Sequence, residues 1–197
     1  MYTSLPLPYS QLTGISARTL EIHHDKLYVG YVNKRNEIEE QLKSADRSQA
    51  NGTYSFFGEL KRQESFAADA MILHEAYFNV LGGDGQQQGA LVDQIAKDFG
   101  SYEAWLTDFK ACGLVARGWV VLAYDLNDGR LHNYVCDAHN QGGIWGAIPV
   151  IVLDTYEHAY MIDFGSDRKS YIEAFMSQLN WTEANRVFAK VTGVQLR

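Results

Sequence analysis

A carboxylate and a histidine follow directly after a run of mostly branched apolar residues in the second half of the chain. The run 148–153 ends at Asp154, and His158 lies four positions further on. Such a run predicts a buried strand. If the chain then turns into a helix, Asp154 and His158 lie one turn apart on the same side and offer two metal-capable groups from a rigid base. A capping aspartate followed by a surface histidine is the simpler interpretation of an isolated pair.

A second candidate ligand, His23, lies in a helical pattern. Apolar residues recur at helical spacing from about residue 16 or 19 to residue 42 and predict one amphipathic helix. His23, Leu27 and Tyr31 stand at i, i+4 and i+8, so they are expected to line one face, with Lys26 beside them. That face would carry both a metal-capable imidazole and a phenol.

A third candidate, His74, lies on the apolar stripe of another helix, predicted over about 63–81. A histidine in that position is more often a hydrogen-bonded core residue than a ligand. Three imidazoles and one carboxylate suit iron, manganese or zinc better than calcium or magnesium. Spacing alone leaves several independently satisfied core histidines as the alternative. The candidate ligand set is His23, His74, Asp154 and His158.

The elements that would position these residues indicate an α+β fold. The glycine-rich polar segment 82–89 separates an N-terminal helical hairpin domain, expected over 1–83, from a C-terminal α/β domain, expected over 84–197. The second domain would contain a small three-stranded antiparallel sheet, with a hairpin turn at Asn127-Asp128-Gly129. Its predicted elements are helices over 90–99, 101–110, 170–179 and 182–191, and strands over 119–126, 130–138 and 148–153.

Composition narrows the class of protein. The 197-residue chain carries a net charge of −7 and no lysine-rich tract, which argues against nucleic acid or an anionic membrane as a partner. The aromatic content of 13% suggests a large aromatic core or an aromatic-lined site. Cys112 and Cys136 form neither a disulfide framework nor a CxxC motif. With no signal-peptide or transmembrane pattern, we expect a cytoplasmic protein with reduced thiols.

Several stretches of the chain resemble, in order and at the right spacing, the pattern of iron/manganese superoxide dismutases. The resemblance runs from Leu5 to about Val191, and its most specific stretch is Asp-Thr-Tyr-Glu-His-Ala-Tyr at 154–160. The family implies a superoxide dismutase, an antioxidant oxidoreductase that converts superoxide to dioxygen and hydrogen peroxide. The matching stretches are 5–9, 22–26 with 31–33, 74–78, 97–101 with 118–119, and 154–160.

The resemblance also implies roles for individual residues. One iron or manganese ion per subunit, with iron favoured, would be bound by His23, His74, Asp154 and His158. Tyr31 matches a tyrosine near the metal-bound solvent. Lys26 and Arg168 match basic residues that shape the substrate funnel and would attract an anion to an acidic protein. Trp119, Tyr156 and Phe78 would surround the metal.

The residue that hydrogen-bonds to the metal-bound solvent is harder to identify from the sequence. In the family it is a glutamine or histidine from one of two places. The first place is Ala70 here, which has no hydrogen-bonding side chain. Counting back from Pro149 puts His139 at the second place, with Asn140 or Gln141 as the alternatives if the loop gap falls differently.

Several positions depart from the family pattern. Tyr156 and Phe78 replace tryptophans, Leu73 replaces an asparagine, and Val121 replaces a second tryptophan near Trp119. The ligands themselves are retained. A protein that keeps this fold and metal for a structural, binding or different oxidoreductase role is therefore the alternative to a dismutase.

The resemblance finally implies a homodimer or a dimer of dimers. Glu157 matches a residue that bridges to the ligand histidine of the partner subunit. Leu27 and Met161 replace a histidine and a tyrosine that meet across the family's dimer interface. We expect an apolar contact between Leu27 and Met161 of the two subunits in place of that hydrogen bond.

Overall fold

The N-terminal half folds into two long antiparallel helical stretches in a computed structural model that describes residues 1–194. The first stretch begins with α1 (Ala17–Leu20), continues as a π-helical segment (Glu21–Tyr28) and ends with α2 (Val29–Ser44). The second is α3 (Phe56–Asn79). Helix α3 begins seven residues earlier than predicted, because the Ser55 hydroxyl accepts a hydrogen bond from Gly58 N and caps the helix there.

The π-helical segment corrects the prediction of one continuous α-helix. A π-helix bonds residue i to residue i+5, so its turns are wider than those of an α-helix. Tyr28, five residues after His23, is therefore as deeply buried as His23, at 1% exposure each, whereas Leu27 is only half-buried. His24 is also buried, and its ring bonds to the main-chain oxygen of Leu5 at 2.9 Å. The N-terminal arm is thereby attached to the helix.

The segment between the two halves is fixed by close packing. Gly83 N donates to Gln178 O at 2.9 Å, and Gly85 N donates to Leu179 O at 3.2 Å. A Cβ at Gly83 would lie 2.5 Å from Leu179 O, so a side chain at this position would displace the backbone. The glycines that identify the segment in the sequence are thus needed for this contact.

The C-terminal half confirms the predicted fold class. Helices α4 (Ala90–Phe99) and α5 (Tyr102–Val115) precede the strands β1 (Trp119–Asp125), β2 (Arg130–Cys136) and β3 (Ala147–Asp154). The strands form an antiparallel sheet with the order β2-β1-β3. A short helix, α6 (Met161–Phe164), is followed by α7 (Arg168–Ser177) and α8 (Trp181–Thr192). Helix α5 extends five residues beyond its predicted end.

The register of the sheet places two site residues side by side. Trp119 on β1 pairs directly with Asp154 on β3. After Asp154 the chain forms a 3₁₀ turn over Glu157–Ala159 rather than the α-helical turn considered from the sequence. The turn starts where Tyr156 N donates to Asp154 Oδ1 at 2.8 Å. The core of this half is continuous with the sheet-facing side of α3.

Among residues 1–194, no helix is long and apolar enough to cross a membrane.

Candidate metal centre

Four side chains from three distant parts of the chain converge where the helical hairpin meets the sheet. His23 lies in the π-helical segment, His74 on α3, Asp154 at the end of β3 and His158 in the 3₁₀ turn. The Nε2 atoms of His23 and His158 lie 3.0 and 3.1 Å from Asp154 Oδ2. Nε2 of His74 lies 3.7 Å from the same oxygen, and the four ligand atoms all lie within 4.8 Å of one another. The structure thus brings the whole predicted ligand set together.

One buried nitrogen indicates that the cluster binds an ion. Nδ1 of His74 lies 2.6 Å from Ala70 O, a carbonyl that can only accept, so Nδ1 carries the proton and Nε2 the lone pair. Nε2 is buried and has no hydrogen-bond partner among residues 1–194. An unpaired buried acceptor costs about 1–3 kcal/mol, a cost that a bound metal ion would remove. Three imidazoles and one carboxylate fit iron or manganese.

The pKa shifts of His23, His74 and Asp154 also fit metal binding. Burial would raise the pKa of Asp154, but the adjacent imidazoles of His158 and His23 hold it well below the usual range. Burial lowers the pKa of His23 and lowers that of His74 to about 3. Asp154 is therefore a carboxylate and both imidazoles are neutral near pH 7, the forms that bind a metal ion.

A hydrogen-bonded chain beside the cluster involves His139. Trp119 Nε1–H donates to His139 Nδ1 at 3.0 Å, and His139 Nε2 lies 3.0 Å from the Tyr31 hydroxyl. Because Nδ1 accepts, the proton of the neutral ring lies on Nε2 and is donated to the Tyr31 oxygen. The Tyr31 hydroxyl proton is then free for another acceptor. Asn140 and Gln141 are exposed and make no hydrogen bond to this chain of groups within residues 1–194.

Burial lowers the pKa of His139 to about 4, and this predicts a pH dependence of stability. The unfolded chain binds a proton at this histidine near pH 6.5 and the folded chain does not, so the free energy of unfolding falls as pH drops below about 6.5. We expect His139 to contribute a loss of about 1 kcal/mol between about pH 7.5 and 5.5 in metal-free protein, measured by urea unfolding. His139→Gln should reduce the pH difference by that amount. An unchanged difference would contradict the assignment.

Two aromatic residues predicted around the metal contact its candidate ligands. The ring of Tyr156 stacks on His158 at 5.4 Å and lies 5.2 Å from His139. Burial and the charge of Asp154 raise the pKa of Tyr156 to about 12, so its phenol stays protonated. Phe78 packs edge-on against His23, with ring centroids 4.9 Å apart.

The sequence analysis did not identify two tyrosines that hold the main chain of Asp154 in place through hydrogen bonds. The Tyr171 hydroxyl donates to the main-chain oxygen of Asp154 at 2.8 Å. The Tyr77 hydroxyl lies 3.2 Å from the Tyr171 oxygen and donates to it, and the Tyr77 ring lies 5.1 Å from His23. No sequence signal marks Tyr171, because its partner is a main-chain atom.

The two predicted funnel residues occupy different surroundings. Arg168 donates to Ala116 O at 2.8 Å and lines an open depression together with Tyr156 and His158. Lys26 is exposed on the π-helical segment and forms no ion pair within residues 1–194. Of the two predicted funnel residues, Arg168 is therefore the one that shares a depression with a candidate ligand.

The predicted interface residues lie on or near the surface of the subunit. Glu157 is exposed and lines the same depression as Arg168. Met161 is 44% exposed, and Leu27 is half-buried. Leu27 lies in the π-helical segment, Glu157 in the 3₁₀ turn and Met161 at the start of α6.

The fold and the cluster define a class of protein, one that holds a single metal ion between a helical hairpin and a small antiparallel sheet. The model of the α-hairpin domain of iron/manganese superoxide dismutases matches residues 1–82, and the model of their C-terminal domain matches residues 87–187. The chain belongs to the iron/manganese superoxide dismutase family and is an enzyme of that type.

Relatives named for either metal resemble the chain over most of its length. An iron superoxide dismutase of Aquifex aeolicus is 44% identical over 184 residues, which cover 91% of this chain and 86% of the relative. An iron superoxide dismutase of Cupriavidus metallidurans is 39% identical, with 91% of each chain covered. Manganese superoxide dismutase 1 of Halobacterium salinarum is 37% identical over 95% of this chain and 94% of the relative.

Proposed function

We propose that the protein dismutates superoxide to dioxygen and hydrogen peroxide at one iron or manganese ion bound by His23, His74, Asp154 and His158. The observation that carries this proposal is the unpaired, fully buried Nε2 of His74, which lies beside the Asp154 carboxylate. The bound metal would supply the one-electron redox chemistry. The protein residues would provide the charge, the protons and access for the substrate.

Charge and protons have separate sources in this proposal. Asp154 supplies the one negative charge among the four groups, and the neutral imidazoles supply donor atoms without further charge. Forming hydrogen peroxide from superoxide requires two protons. Tyr31 holds a proton that its bond to His139 does not use, and burial together with Asp154 raises the pKa of this phenol. Tyr31 is therefore suited to donate a hydrogen bond to an anion or solvent molecule and to be reprotonated afterwards.

We also propose that two subunits associate through the face that carries Glu157, Leu27 and Met161. Val115 and Ile162 are exposed on neighbouring segments, at 69% and 50%. Apolar exposure around a carboxylate and Arg168 is typical of an interface with an apolar centre and polar surroundings.

We propose four further assignments. They are iron in preference to manganese, Lys26 and Arg168 as funnel residues, a domain boundary at 83/84 and a cytoplasmic location.

Metal analysis followed by activity measurement tests the function. Purified protein should contain about one iron or manganese ion per chain, since the cluster offers one set of ligands. Iron-loaded and manganese-loaded forms should then be assayed for superoxide dismutation against metal-free protein. We expect activity in at least one loaded form and none without metal. Stoichiometric metal with no dismutation in either form would overturn the proposal and favour a structural or different redox role.

A further inference from the structure

An apolar cavity of about 360 Å³ lies between α3, the sheet and the loop before β3. Its volume lies at the lower end of the range of small-molecule pockets, roughly 300–1,000 Å³. Asn140, Gly143 and Trp145 line the cavity and are exposed, so it opens to solvent. The cavity shares no lining residue with the depression that contains Glu157 and Arg168, so a molecule bound in it would leave that depression free.

Small apolar side chains make room for this cavity on the face of β1 that carries Trp119. Successive side chains of a strand alternate between its two faces, so Trp119, Val121 and Ala123 lie on the same face. Val121 and Ala123 both line the cavity. Val121 stands where the family pattern has a tryptophan, and the smaller isopropyl group leaves space there. Leu73 stands where the pattern has an asparagine and adds an apolar wall. Such walls favour an aromatic ring as the occupant.

The cavity also contains a carboxylate without a partner. Asp69 lines it, is partly buried, and makes no hydrogen bond or ion pair with any other residue in the range 1–194. Burial raises the pKa of this carboxyl group, and the charge of Arg35 offsets that effect only in part. A cationic donor would restore the lost solvation through a charge-assisted hydrogen bond. The net charge of −7 further favours a cation over an anion.

We propose that this cavity binds a small aromatic amine, a planar ring that carries an ammonium group on a short chain. The ring packs against Val121 and Leu73, and the ammonium group donates to the Asp69 carboxylate. His139 lines the same cavity and bonds to the Tyr31 hydroxyl, so the bound molecule touches the residue that orients Tyr31.

Isothermal titration calorimetry on the intact metal-loaded protein tests this site with tryptamine as the probe. Indolepropionate is the matched control ligand, because it has the same ring and chain length but a carboxylate in place of the ammonium group. We expect about one tryptamine per chain with a Kd below about 1 mM, and indolepropionate should bind at least about tenfold more weakly. No saturable binding of tryptamine, or equal binding of the two molecules, overturns the proposal. A tryptamine affinity that falls as the protein concentration rises also overturns it, since a second copy of the chain would then cover the cavity.

Substitutions test whether the probe binds in this cavity. Asp69→Asn removes the charge at nearly constant size and should weaken tryptamine binding at least about tenfold without weakening that of indolepropionate. Asp93→Asn, which changes an exposed carboxylate of α4 outside the cavity lining, is the matched control and should have no effect. Val121→Trp should fill the cavity and abolish binding, with an unchanged circular dichroism spectrum. Unchanged tryptamine affinity in Asp69→Asn, or in a folded Val121→Trp, would contradict the inference.

Discussion

Asp154→Asn is expected to abolish superoxide dismutation. It is also expected to lower the affinity for iron or manganese by more than about 100-fold relative to the unmodified protein. The asparagine has nearly the same size and can still accept hydrogen bonds from its neighbours. It removes the one negative charge that the four groups offer to the metal. Because neutral imidazoles alone neutralise none of the charge on the ion, binding becomes much weaker.

The measurement is metal content after dialysis, together with activity at saturating added metal. Asp128→Asn provides a matched control, because Asp125, Asp128 and His132 form a second group of three possible ligands at the β1–β2 hairpin. We expect Asp128→Asn to keep full metal content and activity. Retained tight binding in Asp154→Asn, or lost binding in Asp128→Asn, would show that the ion is bound elsewhere.

His139→Leu should reduce the turnover rate by roughly 10- to 100-fold while leaving metal content near one ion per chain. Leucine removes both the acceptor for Trp119 Nε1–H and the donor for the Tyr31 hydroxyl. Leaving one buried donor unsatisfied costs about 1–3 kcal/mol, so the free energy of unfolding should also decrease. Tyr31 would then lose its fixed orientation beside His74, whose ring lies 5.4 Å from its own.

His139→Gln distinguishes hydrogen bonding from simple packing. A glutamine amide has one acceptor oxygen and donor hydrogens, so it can accept from Trp119 and donate to Tyr31. We expect its turnover rate to stay within a few-fold of the unmodified enzyme. Equal losses in the leucine and glutamine variants would indicate that the imidazole itself is required, and equal retention would mean that the two hydrogen bonds contribute little.

Apolar helix faces and the end of an apolar strand marked the four residues as candidate ligands, and the resemblance to the family identified them as one set. The register between distant segments, by contrast, depends on packing that no local pattern describes. Asp154 lies next to Trp119 because β3 pairs with β1, and Asp154 is supported from behind by Tyr171. These contacts join residues far apart in the chain, and one of them ends on a main-chain atom.

The errors in the helix predictions have a similar cause. The first turns of α3 pack Leu60 and Phe57 into a small cluster with residues of α2, and the helix starts at Phe56 because the Ser55 side chain caps it there. The π-helical turns are wider than α-helical turns, and the spacing of apolar residues does not reveal where such turns occur. Tertiary packing of His23, His24 and Tyr28 favours the wider turns at this position.

The π-helical segment also sets the angle around the helix axis between the His23 and Tyr31 side chains. Two α-helical turns take about 7.2 residues, so eight residues from His23 to Tyr31 would overshoot and rotate the phenol away from the imidazole. The wider turns absorb the excess, and both rings reach His74, at 5.1 and 5.4 Å. The wider turns of this segment are therefore a requirement of the site. In an unbroken α-helix the same eight residues would place the ligand and the proton donor about 80° apart around the axis, even with every chemical group retained.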